Sequence, residues 1–280
     1  MQAVKSSEIE GHKFANHREG DIKFQRLLRG DPDRPDNFEW SIVRMGEDYS
    51  TPRHHHNFSQ LHYVLEGTHE YAPDCLIPTG AIAYFPEGTF YGPQQGHGGL
   101  LLGLQYGEAS GAGFMSYDRL AEGNKRLSEG TDGIFDGGIY RYTDADGKQR
   151  NKDGYEAIWE EMHGREVTYP APRYERVIVL YPEAFGWVPV RDEPGVARKQ
   201  VASFTERGTR VGFLEYESGA AHRVHDLRST ELHFVLEGTL RCGDGVYGKW
   251  TALKFEPGDD ATLEAIEGTD TYVIGLPDFA

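Results

Sequence analysis

Apolar and polar residues alternate through Phe38-Glu-Trp-Ser-Ile-Val-Arg-Met45, the two-residue period of a strand with one covered face. Ser59-Gln-Leu-His-Tyr-Val-Leu65 follows and ends in a Gly turn. Gly80–Phe85, a Pro86-Glu-Gly88 turn and Leu100–Tyr106 come next. The spacing is even and turn-punctuated, which predicts a small antiparallel barrel. Segments 176–181, 200–204, 210–216, 253–255 and 271–275 repeat the pattern in the C-terminal half. The stretch between is different. Asp153–His163 sets Tyr155, Ile158, Trp159 and Met162 on one stripe, the period of a helix whose stripe is core packing. Phe114–Leu120 predicts a second, short helix, and Asp132–Lys148 a hairpin turning at Asp146-Gly147.

The chain also repeats itself. Ser59-Gln-Leu-His-Tyr-Val-Leu-Glu-Gly-Thr68 reappears as Thr230-Glu-Leu-His-Phe-Val-Leu-Glu-Gly-Thr239, an offset of 171 (231 − 60) that also lays His54 on His225. An all-β chain follows: two tandem antiparallel β-barrels, residues 1–112 and 174–280, joined by a mixed segment 113–173 with a short helix. A connector this long carries structure or function, and it is expected to pack across the barrels and cover one mouth.

Candidate chemistry sits just before and within the first copy of the repeat. Alternation along a strand turns Gln60 and His62 to one face, and likewise His54 and His56. Imidazole suits zinc, iron, nickel, copper or manganese, and an amide oxygen is a neutral, weaker fourth ligand. Burying three imidazoles without a metal or partners is costly. The plainer reading is a hydrogen-bonded core histidine, with Gln60 capping a backbone group. His55 points the other way and is expected to be exposed, His12 and His17 to be solvated in a polar lead-in, and His97 to lie on a surface loop.

These residues resemble the cupin family. His54-x-His56, then Gln60, then Val64-Leu65-Glu66-Gly67 match its first motif, with Gln in the Glu position. Gly80 to Pro93, through Pro86-Glu-Gly88, is similar to the second, with Tyr91 where the family usually has its last His. The resemblance implies a bicupin, two double-stranded β-helices in tandem. It also implies a metal-dependent enzyme whose favoured site is His54, His56, Gln60 and His62, with His62 replacing the missing ligand. Tyr91 is then either barrel wall or a proton donor. In the second barrel Leu227 replaces His56, leaving His225, Glu231 and His233 as a second candidate site. Two imidazoles and a carboxylate can make a facial triad for Fe(II), or Glu231 can satisfy a histidine without metal. The resemblance favours a non-haem Fe(II) dioxygenase on a small polar organic molecule, with Mn, Ni or Zn as other metals. The alternatives are a redox-neutral isomerase, cyclase, aminohydrolase or lyase, and a non-enzymatic small-ligand binder.

Charge and composition narrow the partners. A formal charge of −16 argues against a nucleic-acid surface, which needs clustered Lys and Arg. No stretch approaches the roughly 18 apolar residues of a membrane helix, and Met1–Glu10 holds no apolar run of a signal peptide. Gly107–Gly113 is not followed by Gly-Lys-Ser/Thr, so it is no phosphate loop. Two cysteines, Cys75 and Cys242, cannot make a disulfide framework, and a reduced cytoplasmic setting is the simpler expectation. Self-association into a homo-oligomer is left open.

Overall fold

The computed structural model describes residues 1–279. The chain divides into two compact units, one of Gly11–Val179 and one of Met1–Glu10 with the chain from Leu180 on. The connector therefore belongs with the first barrel, and the first ten residues with the second. Both shifts have a physical cause. Gln2–Lys5 is a strand laid antiparallel on Thr251–Phe255, Ala3 opposite Leu253. The connector shares one apolar cluster with the barrel, in which Phe58 meets Phe114, Tyr155, Ile158 and Trp159.

The unit of Gly11–Val179 is built on a six-stranded sheet, ordered Ile178–Leu180, Ile82–Phe85, Ser59–Glu66, Leu100–Tyr106, Phe38–Met45 and Ile22–Arg29. Two small two-stranded sheets, Ser50–Thr51 with Gln94–Gln95 and Thr68–Ala72 with Cys75–Pro78, complete it. Phe38–Met45 is buried on both faces apart from Arg44. Its alternation predicts one covered face; the other is covered as well, because Glu39 accepts from the backbone N–H of Tyr117 in the connector.

The second unit has a seven-stranded sheet: Gln2–Lys5, Thr251–Phe255, Glu231–Glu237, Thr269–Gly275, Thr209–Tyr216, Val196–Phe204 and Val188–Pro189. A four-stranded sheet accompanies it. The sequence repeat is also a repeat of register. Gln60 stands opposite Phe85 and His62 opposite Ala83, as Glu231 stands opposite Phe255 and His233 opposite Leu253. Even the bulge recurs, skipping Leu65 in one copy and Leu236 in the other.

In the connector, α1 (Tyr117–Glu129) is longer than the sequence predicts, and the Ser116 side chain accepts from the Arg119 N–H to start it. A three-stranded sheet follows, Gly133–Asp136, Ile139–Thr143 and Gln149–Asp153, with Asp146-Gly147 in the predicted turn. Helix α2 (Gly154–His163) is capped by Asp153, which accepts from the backbone of Tyr155 at 2.9 Å, and ends on left-handed Gly164. Its stripe packs inward as the pattern implies: Tyr155, Ile158 and Trp159 are buried. Each such side chain contributes about 1.5–3 kcal/mol of burial. Among the described residues no helix is long and apolar enough to cross a membrane.

Candidate functional site

Strand parity sets the site. Gln60 and His62 face a cavity of about 120 Å³ inside the first barrel, while Leu61, 1% exposed, is not part of its lining. The Pro86-Glu-Gly88 turn brings Tyr91 beside His54, where the two backbones exchange hydrogen bonds at 3.0 Å. The His54 ring then lies 4.9 Å from that of His56 and 4.4 Å from that of Tyr91, centroid to centroid. Gln60 Nε2 donates to the Tyr91 hydroxyl at 2.7 Å. Gln105, cross-strand from Gln60, donates to its amide oxygen at 2.8 Å.

The four expected ligands therefore share a cavity without forming one cluster. His54, His56 and Gln60 gather around Tyr91. His62 is hydrogen-bonded to His69 at 3.2 Å, its Nδ1 to the other's Nε2, and its ring lies tilted against that of Phe85. Tyr91, not His62, stands beside His54 and His56. Among the described residues, no three His, Cys, Asp or Glu side chains are grouped so as to hold a metal.

Two groups in the cavity wall escape sequence reading. Arg18, 7% exposed, makes a two-pronged ion pair with Asp153 at 2.7 and 3.1 Å and also donates to the Gly138 carbonyl. His17, expected in solvent, lines the same cavity, and its Nδ1 is buried without a partner. The cause is the connector: the backbone at Gly138 and the cap residue of α2 fold over this lead-in. His55 also departs from expectation. Its ring is sandwiched between Phe90 and Tyr169, at 3.9 and 3.6 Å, so the connector covers it as well.

The charge states follow from burial. Desolvation, with Arg18 adding to it, holds His54 and His17 down to about 3. His56 and His62 are lowered well below the usual imidazole range by the same cause. All four are neutral at pH 7. Burial pushes the Tyr91 phenol up, so it keeps its proton, although the bond from Gln60 works the other way. Burial alone would raise the Asp153 carboxyl, but Arg18 holds it below the carboxylate range.

Do these residues fit a divalent metal? The Nδ1 of His54 bonds the Pro52 carbonyl at 2.7 Å. A carbonyl only accepts, so Nδ1 carries the proton and Nε2 keeps its lone pair, the tautomer that a metal-bound histidine needs. His56 Nδ1 is buried with no protein partner. The amide oxygen of Gln60 has two lone pairs and spends one on Gln105. Two neutral imidazoles and an amide oxygen fit a divalent ion, as a weak set with no anionic member.

No protein-family model matches the chain, and no curated protein matches it. Solved structures do. A provisionally named dioxygenase from Nostoc punctiforme aligns over 99% of this chain and 83% of its own, at TM-score 0.67 and 12% identity. A provisionally named glyoxylate-induced protein from Pseudomonas aeruginosa gives 0.61 and 10%, over 99% and 89% of the two chains. Bacillus subtilis oxalate decarboxylase gives 0.56 and 12%, over 99% and 78%. The fold is that of a bicupin.

The second barrel is arranged differently. His233, fully buried, donates through Nε2 to Glu231 at 2.9 Å. Burial would raise Glu231, and that hydrogen bond lowers it. His225 does not join them. It is 45% exposed and bonded to Asp226, whereas His222, held by Glu193 at 2.6 Å, lines the cavity with Glu231. Glu231 and His233 pair with each other while His233 Nδ1 stays buried without a partner, and the three-residue set read from the sequence is not brought together.

Proposed function

We propose that the N-terminal barrel of this bicupin is the active site of a metal-assisted enzyme that moves a proton on a small organic substrate. A divalent transition metal would be held by His54, His56 and the Gln60 amide oxygen. The observation that carries the reading is the His54 tautomer, fixed by Pro52 so that Nε2 is free for a metal. When bound, such an ion polarises a carbonyl or hydroxyl as a Lewis acid. The chain supplies the rest. Gln105 orients the Gln60 amide. Tyr91, kept protonated by burial, donates its Oη–H toward the cavity to oxygen that gains charge. The aromatic wall of the connector excludes water.

This favours the redox-neutral alternative over the Fe(II) dioxygenase, because with His62 turned to His69 only two imidazoles remain, and a two-histidine facial triad for Fe(II) needs a carboxylate. The first barrel offers none to the metal corner, since Asp153 is committed to Arg18. The oxygenase remains the second reading, favoured by the dioxygenase name of the Nostoc fold neighbour. Elemental analysis of the purified protein tests the metal. We expect a divalent ion that chelators strip readily and that His54→Ala with His56→Ala abolishes. His225→Ala with His233→Gln should leave it in place. Metal that follows the second pair instead would move the active site to the other barrel. Oxygen uptake with Fe(II) would reverse the order of the two readings.

A further inference from the structure

We infer that the N-terminal site takes a compact amphipathic acid, with a ring-sized apolar body and one carboxylate or hydroxyl head, rather than a small all-polar acid or a sugar acid. This rests on the proposed active site and adds its substrate class.

The cavity lining is of two kinds. One is polar, His54, His56, Gln60, Tyr91 and Arg18 with five further histidine and glutamine side chains. The other is apolar: Phe24, Val43 and Leu101 from the barrel meet Phe114, Met115 and Tyr117 from the connector. An all-polar acid would press hydrated groups against that second wall and lose their water without gaining hydrogen bonds, at a cost of about 1–3 kcal/mol per group. An apolar body gains there instead.

Volume fixes the size. The space is about 120 Å³, and apolar cavities of about 150 Å³ in proteins take up benzene. The walls are held. Tyr117 packs on Phe24 and Phe14 at ring separations of 5.1 and 5.2 Å, and its backbone is tied to Glu39. Gly103 keeps the floor open: a Cβ there would meet Leu101 at 3.1 Å and Val43 at 3.3 Å, with His62 beyond. That glycine sets how large a body the site accepts.

Calorimetric titration with benzoate, cyclohexanecarboxylate, oxalate and gluconate tests the inference, with metal content measured on the same protein before and after chelation. The ring acids should bind one per chain and at least about tenfold tighter than oxalate or gluconate. Gly103→Ala should weaken ring-acid binding, and Leu101→Ala should shift preference toward the larger naphthoate. Oxalate or gluconate binding as tightly as benzoate overturns the inference, and so does ring-acid binding that neither variant changes. Benzoate binding to protein that never held metal would sink the metal proposal and leave the substrate class standing.

Discussion

Gln60 Nε2 donates to the Tyr91 hydroxyl at 2.7 Å, deep in a barrel where the two residues are 3% and 7% exposed. The bond joins the first cupin-like motif to the second across the cavity. It holds a protonated phenol beside the His54 ring. Tyr91→Phe removes the acceptor and leaves a buried amide proton unpaired, so we expect a loss of about 1–3 kcal/mol in urea unfolding. Metal content should not change, because Tyr91 is not among the proposed ligands. A Tyr91→Phe protein that had lost its metal would place the phenol oxygen in the coordination sphere.

Arg18 and Asp153 bind the polar lead-in to the start of α2. Removing one side leaves a buried charge without its partner, which costs about 3–5 kcal/mol. Asp153→Ala also removes the cap of α2, worth about 0.5–2 kcal/mol. Arg18→Met together with Asp153→Leu should cost less than either single change, since no charge is stranded. Urea unfolding of the three variants gives the comparison; additive losses would mean that the pair is not coupled.

What was legible in the chain was what strand periodicity and repetition encode. The alternation around Gln60 and His62 encodes the face and the 171-residue offset the second barrel, while the bulge they share is visible only in the strand registers. The connector defeated the reading because its contacts are long-range. Nothing near His17 and Arg18 announces that Asp153, 135 residues on, will cover them. Whether Tyr91 or His62 stands beside His54 and His56 depends on His69, the partner of His62 on the next strand.

Gly88 has a φ of +75°, and a Cβ there would come within 2.2 Å of the Pro170 carbonyl oxygen. The residue thus serves two demands, the turn of the second motif and the close approach of the connector. Gly88→Ala should strain both, and because the obstacle is backbone it cannot swing aside. We expect a lower melting temperature and greater proteolysis within residues 165–175, where the connector would lift. Unchanged melting would mean that this contact is not held in solution.

Glu39 gives the pH dependence its sign. Burial raises its carboxyl from 4.5 to about 7, against the opposing pull of Arg26, and Asp118 adds to the rise while Arg29 and the Tyr117 N–H oppose it. The folded state therefore binds a proton that the unfolded chain releases above about pH 4.5. Its contribution to stability is full below that pH and is lost as pH rises through about 7. Glu39→Gln keeps the shape and removes the titration, so the variant should not lose stability between pH 5 and pH 8 as the parent does. It should equal or exceed the parent at pH 8, where the parent must either bury a carboxylate or take up a proton. Melting temperatures of both proteins across that range decide it: parallel curves would mean that Glu39 is already ionised and fully served by Arg26 when folded.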